Sequence, residues 1–172
     1  YTDSEDRGTL ITTMELLPLS SEEFDYGPPR INAIEIARIV DRGIRESGFV
    51  DWKKLNIEKG EKVWSILIDI YCINDDGNVI DASALGAIAA LRVAKFPVYD
   101  KKNEVVKYGE LTKDHLPLTE CVPLAMTFYK IGETLILDPN REEEDSSEAR
   151  LTLSISQPKK DHIINSMQKG GI

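Results

Sequence analysis

The sequence predicts an α+β fold built from mixed sheets with helices packed among them. Two stretches with helical spacing, 33–47 and 82–95, stand between runs rich in β-branched and aromatic residues, and turn-forming residues punctuate those runs. A third observation is scale: 172 residues with 41% hydrophobic and 30% charged content suit one domain with a packed core.

Taken in order, TLITTMELL at 9–17 reads as a strand ended by Pro18, which cannot donate to a ladder. A strand this early needs neighbours, so the chain reads as a fragment of a longer protein or as one that pairs with another chain. The helix from about Ala33 to Ser47 starts with Asn32 and Glu35 at capping-box spacing and stops at Gly48. With Arg38 at zero and about 100° per residue, Ala33, Ile36, Ala37, Ile39, Val40, Gly43 and Ile44 gather on one side, the core side. Arg38, Arg42 and Arg45 fall at about 0°, 40° and 340°, one stripe on the opposite side, with Glu35 and Asp41 flanking it.

VWSILIDIYCI at 63–73 reads as a central strand with Trp64, Ile66, Ile68, Ile70 and Cys72 on one side. NDDGN is a turn, after which Asp81 is placed to cap a helix rich in Ala and Gly. FPVYD, EVVKYGEL, CVPLAMTFYKIGETLILD around a Gly132-Glu133 turn, then ARLTLSIS and HIINSMQK around QPKKD, read as strands.

Composition removes several function classes. The net charge of −9 argues against non-specific nucleic-acid binding by the whole surface, because that affinity comes from Lys and Arg displacing counterions; any contact with RNA or DNA is local. Cys72, Cys121, His115 and His162 have no partners at ligand spacing, so no metal site and no disulfide framework is expected, and they read as structural. No apolar run approaches the roughly 18 residues of a membrane span, and YTDSEDRG has no basic-then-apolar leader pattern. This predicts a cytoplasmic protein.

Three candidate sites remain. The arginine stripe is either a solvated helix face, with Glu35 and Asp41 as partners, or a face that tracks phosphates through guanidinium forks. The acidic run REEEDSSEAR, Arg141 to Arg150, is either a solvated loop or a source of carboxylates for acid–base or metal chemistry. DDGN, Asp75 to Asn78, lies between a strand and a helix, where loops cradle phosphate; with Asp81 as the cap it reads as a structural turn.

The segments ELLPL, NAIEIARIVDRGIRES, VWSILIDIYCINDDGNVIDASALGAIAAL and LILDPNREEEDSSEARLTLSIS together resemble the ribonuclease PH family. Within it they are most similar to the catalytically silent branch found in the archaeal exosome core. The likeness runs from about Gly8 to Gly171 and implies a single ribonuclease PH-like domain over 1–172, lacking part of the N-terminal sheet and the closing C-terminal helix. Active members are phosphorolytic 3′-to-5′ exoribonucleases in which inorganic phosphate attacks the 3′-terminal linkage of RNA. Their phosphate loop resembles D-G-G-[ST]-R, where this chain has Asp76, Gly77, Asn78, Val79 and Ile80, so the hydroxyl and the arginine are missing. Their acidic segment carries two catalytic aspartates; aligned on Leu137, Asp138 and Asn140, those positions hold Glu144 and Arg150.

An arginine neither exchanges protons near neutral pH nor holds a metal ion, so Arg150 cannot serve as a carboxylate. Asp145 stands one position off the first site, and Glu148 would point to the opposite face of any strand there. The resemblance therefore implies no catalytic residues, no cofactor and no metal in this chain. It implies instead a non-catalytic subunit that pairs with an active ribonuclease PH-like subunit as a trimer of heterodimers, with RNA-binding cap proteins on the ring. Arg38, Arg42 and Arg45 match the silent subunit's arginines and are the implied contacts to single-stranded RNA. An active phosphorolytic enzyme and a purely structural ring scaffold are the alternatives.

Overall fold

The computed structural model describes residues 7–158 and 160–171. YTDSED, read for a leader pattern, and Lys159 of the QPKKD turn lie outside the described residues. In chain order the elements are β1 (Thr9–Leu16), α1 (Ile31–Glu46), β2 (Asn56–Glu58), β3 (Lys62–Val63), β4 (Ser65–Cys72), α2 (Val79–Val93), β5 (Lys95–Asp100), β6 (Val105–His115), β7 (Leu124–Ile131), β8 (Thr134–Leu137), α3 (Arg141–Asp145), β9 (Ala149–Ser156) and β10 (Ile163–Gly171). The α+β class read from the sequence holds.

β1 and β4 pair in parallel, from Thr9 opposite Ser65 to Leu16 opposite Cys72. A parallel pair needs a long crossover, and α1 lies within it. β4 turns Ile66, Ile68 and Cys72 inward with Leu10 and Met14 of β1, as the period-2 pattern requires, and leaves Leu67 and Tyr71 exposed. The run expected as one central strand is split at Trp64. The Trp64 N–H donates to the Leu55 carbonyl at 2.8 Å and its ring meets Phe96 and Tyr99, while β4 pairs only with β1 among the described residues.

The second sheet is antiparallel, in the order β10-β9-β7-β8, with the β7–β8 hairpin turning at Gly132-Glu133 as expected. α1 packs on β1 and on β10, α2 on β4 and β7, so the two helices lie between the two sheets. All seven residues expected on the core side of α1 are buried. Gly43 matters here because a Cβ would stand 2.9 Å from Ser154 Oγ: the helix crosses the sheet too closely for a larger side chain.

Both expected helix starts are corrected. α1 begins at Ile31 behind Arg30, which makes no side-chain cap; Asn32 and Glu35 already lie in the helix, and the Glu35 carboxylate is taken by Arg150. α2 begins at Val79 behind Asn78 in the left-handed conformation (φ 49°), so Asp81 is inside the first turn. Its carboxylate accepts instead from the Thr127 hydroxyl (2.7 Å) and N–H (2.9 Å), tying α2 to β7.

Candidate functional site

The outer face of α1 carries the arginine stripe, and the structure divides it. Arg45 donates from Nε (2.9 Å) and Nη2 (2.8 Å) to the two oxygens of Asp41, and from Nη2 to the Leu10 carbonyl at 2.8 Å. The hydrogen bond to Asp41 raises its pKa further, so the group is both charged and committed to holding α1 against β1. Arg38 and Arg42 are exposed, and among the described residues their guanidinium groups have no hydrogen-bond or ion-pair partner. One helical turn apart, at about 6 Å along the axis, they rim a shallow cavity of about 270 Å³ that Arg45 and Thr12 also line. All three arginines do share one face; two of them present unspent donor forks to solvent.

The other two candidate segments, which the sequence left separate, meet at a second cavity of about 500 Å³ between the segment after β1, the first turn of α1 and the head of α2. Asp75, its side chain 2% exposed, accepts from Arg141 Nη1 at 2.9 Å. Arg141 also pairs with Glu23 and with Asp145 (3.3 Å). Burial pulls the Arg141 pKa down, but Asp75, Asp145, Glu23 and Glu144 outweigh it and the net shift is upward. Gly77 adopts φ +91°, and a Cβ there would be 2.4 Å from the Pro139 carbonyl, so the turn presses against the start of the acidic run.

Glu144 makes the decisive contact. Its Oε2 accepts from the Asn78 backbone N–H at 2.8 Å and its Oε1 from the Tyr129 hydroxyl at 2.9 Å. Burial, then the Glu144 charge, raises the Tyr129 pKa and keeps the phenol protonated as a donor. The N–H that heads α2, where a helix dipole favours an anion, is therefore occupied by the chain's own carboxylate. At the second aligned position, Arg150 Nη2 pairs with Glu35 at 2.6 Å, and its Nε is buried against Gly170 without a partner among the described residues.

The expectation of a solvated acidic loop is thus corrected in part: α3 is a capped helical turn that exposes Glu142, Glu143 and Asp145 but turns Arg141 and Glu144 inward. No group of three or more His, Cys, Asp or Glu that could hold a metal occurs among the described residues. Sequence reasoning missed Tyr129 and the Glu35–Arg150 pair. Their one signal is periodicity in β7 and β9, which puts Tyr129 opposite Arg150 once those strands pair.

Residues 1–97 match the model of the 3′ exoribonuclease family, domain 1, and residues 121–172 match that family's domain 2. The chain belongs to the 3′ exoribonuclease family. Among relatives of this family member, an exosome complex component named Rrp42 from Methanocella arvoryzae is 45% identical over 100% of this chain and 62% of its own length. The protein of the same name from Methanosarcina acetivorans is 48% identical over 100% of this chain and 60% of its own. The solved Archaeoglobus fulgidus exosome with RNA bound to the active site contains a chain with TM-score 0.85 and 44% identity, covering 99% of this chain and 63% of that one. This chain thus spans about three fifths of the length of the relatives it matches. The ribonuclease PH likeness and its mixed-sheet fold are borne out.

Proposed function

We propose that the chain is a non-catalytic, RNA-positioning subunit of an exosome-type complex, set beside an active ribonuclease PH-like subunit in a hexameric ring that degrades RNA 3′ to 5′ by phosphorolysis. The observation that carries this reading is the contrast between the two sites. On α1, Arg38 and Arg42 offer exposed, uncommitted guanidinium forks, the geometry that takes phosphate oxygens in pairs. At the acidic site both aligned positions are spent: Glu144 is held by Asn78 and Tyr129, and Arg150 by Glu35.

In this reading, single-stranded RNA passes α1 with consecutive phosphates on Arg38 and Arg42, which hold its 3′ end in register for the partner's active site. Arg45 supports the helix from beneath. Inorganic phosphate binds and attacks in the partner, because the N–H at the head of α2 is already bonded to a carboxylate. RNA-binding cap proteins feed the ring, which works in the cytoplasm. Support comes from the relatives' exosome names and from the RNA-bound state of the solved Archaeoglobus assembly.

The test is phosphate-dependent release of nucleoside diphosphates from a 3′-labelled RNA by the chain alone, by the active subunit alone, and by the reconstituted pair. The chain alone is expected to release none and the pair to exceed the active subunit alone. Phosphorolysis by the isolated chain overturns the reading in favour of an enzyme. Equal activity of pairs with and without Arg38 and Arg42 overturns it in favour of a scaffold.

A further inference from the structure

The outer face of α1 does not end at its arginines. Counted at about 100° per residue from Arg38, Ile34 falls at about 320° and Ile31 at about 20°, on the same stripe as Arg38 and Arg42. Ile31 is 79% exposed and Ile34 50%. Ile34 precedes Arg38 by about 6 Å along the axis, the same step that separates Arg38 from Arg42. Upstream of the helix stands Tyr26, 91% exposed. The ion pair of Arg30 with Asp25 closes the loop that carries it and brings its backbone back to the head of α1. Gly27 follows at φ +148°, which glycine adopts readily, and Pro28 and Pro29, with φ fixed by their rings, run directly into the helix behind Arg30. The phenol ring therefore stands on a short, stiff mount at the head of the stripe.

We infer that Tyr26 is a base-stacking platform for the single-stranded RNA whose phosphates Arg38 and Arg42 hold, with Ile34 and Ile31 as the apolar track between them. The inference rests on the reading of α1 as an RNA-positioning surface, and adds to it the residue that takes a base. A single strand presents two chemistries side by side, charged phosphates and flat bases with exposed faces, and surfaces that bind it combine cations with aromatic rings. α1 and the loop before it offer both in one line: two guanidinium forks, two aliphatic side chains, then a phenol ring.

Continuity and chemistry select this occupant. A strand that advances one phosphate per turn of α1, as it does from Arg42 to Arg38, brings its next nucleotide to Ile34 and the following one to the loop of Tyr26. A duplex keeps its bases inside the stack and leaves the ring and the two isoleucines unmatched, whereas the unpaired bases of single-stranded RNA splay onto such side chains. The phenol is neutral, so its contact adds affinity through stacking and displaces no counterion, which sets it apart from the arginine contacts in any salt series.

The test uses full-length chains in the reconstituted complex and a labelled single-stranded RNA. Tyr26→Ala is expected to weaken binding about 5- to 150-fold with the slope of log K against log salt unchanged. Tyr26→Phe keeps the ring and is expected to restore the native affinity. A series of RNAs, each lacking the base of one nucleotide, locates the contact. One position is expected to cost the native complex affinity and to cost the Tyr26→Ala complex nothing further. Light scattering follows assembly, and circular dichroism confirms that each variant folds. Native affinity in Tyr26→Ala, no recovery in Tyr26→Phe, a lowered salt slope, or the same base dependence in native and Ala complexes each overturns the assignment. Lost assembly in Tyr26→Ala overturns it in favour of a protein contact. Arg38→Ala with Arg42→Ala separates the two levels of the argument. If that pair lowers the slope while Tyr26→Ala changes nothing, the platform alone fails; if the pair leaves the slope unmoved, the RNA reading fails with it.

Discussion

Replacing Arg38 and Arg42 by Ala removes two exposed guanidinium groups that make no hydrogen bond or ion pair among the described residues, so the change is read in RNA affinity and its salt dependence. Each phosphate contact on a single strand contributes about 0.7 to the slope of log K against log salt. Losing two lowers the slope by about 1.4. Counterion release vanishes near 1 M salt, so the double variant binds about 25-fold more weakly at 0.1 M and about 10-fold at 0.2 M, which is about 2 kcal/mol at the lower salt. The assay is fluorescence anisotropy of a labelled single-stranded RNA on the reconstituted complex across a salt series, with light scattering to confirm assembly. Arg45→Ala is the control: its fork is spent on Asp41 and Leu10, so the slope stays near that of the native chain. Half-exposed as the pair is, its loss costs only about 0.5 kcal/mol of stability. An unchanged slope in the double variant, or a larger loss with Arg45→Ala, refutes the division of the stripe.

Two further outcomes follow from the closed acidic site. Glu144→Gln puts an amide N–H where Asn78 N–H or the Tyr129 hydroxyl now finds an acceptor, and is expected to cost about 1–3 kcal/mol, seen as a drop of several degrees in melting temperature. It gains no phosphorolysis, because Arg150 remains; any phosphate-dependent product from the variant contradicts the account of silence. Tyr129→Phe tests the raised phenol pKa. The folded state holds the proton that the unfolded chain releases above about pH 10, so this stability is present below that pH and declines as the pH rises through the folded value. The native chain should lose melting temperature between pH 10 and 11 more steeply than the Phe variant, and parallel curves would sink the assignment.

What was legible in the sequence was what a short-range period encodes. The 3.6-residue repeat of α1 gave the buried side residue by residue and set the three arginines on the opposite side. Alternation gave the inward residues of β4, and a Gly gave the β7–β8 turn. The helix starts were misread because Glu35 and Asp81 find stronger use elsewhere: each carboxylate meets a donor from another part of the chain, Arg150 and Thr127, instead of the helix's own amides. The acidic site was illegible for the same reason. Arg141 and Asp75, and Glu144 and Asn78, are 66 residues apart, and no local pattern announces which of several acids turns inward.

Glu144 also bears on competition. A carboxylate fixed to the same chain as the N–H it occupies does not dilute; its effective concentration is set by the tether, in the millimolar range or higher even for a flexible one, and α3 is held by its capping box. Free phosphate must displace a ligand that never leaves and whose second oxygen is pinned by Tyr129. Rising phosphate therefore does not readily fill the head of α2 while Glu144 holds its N–H.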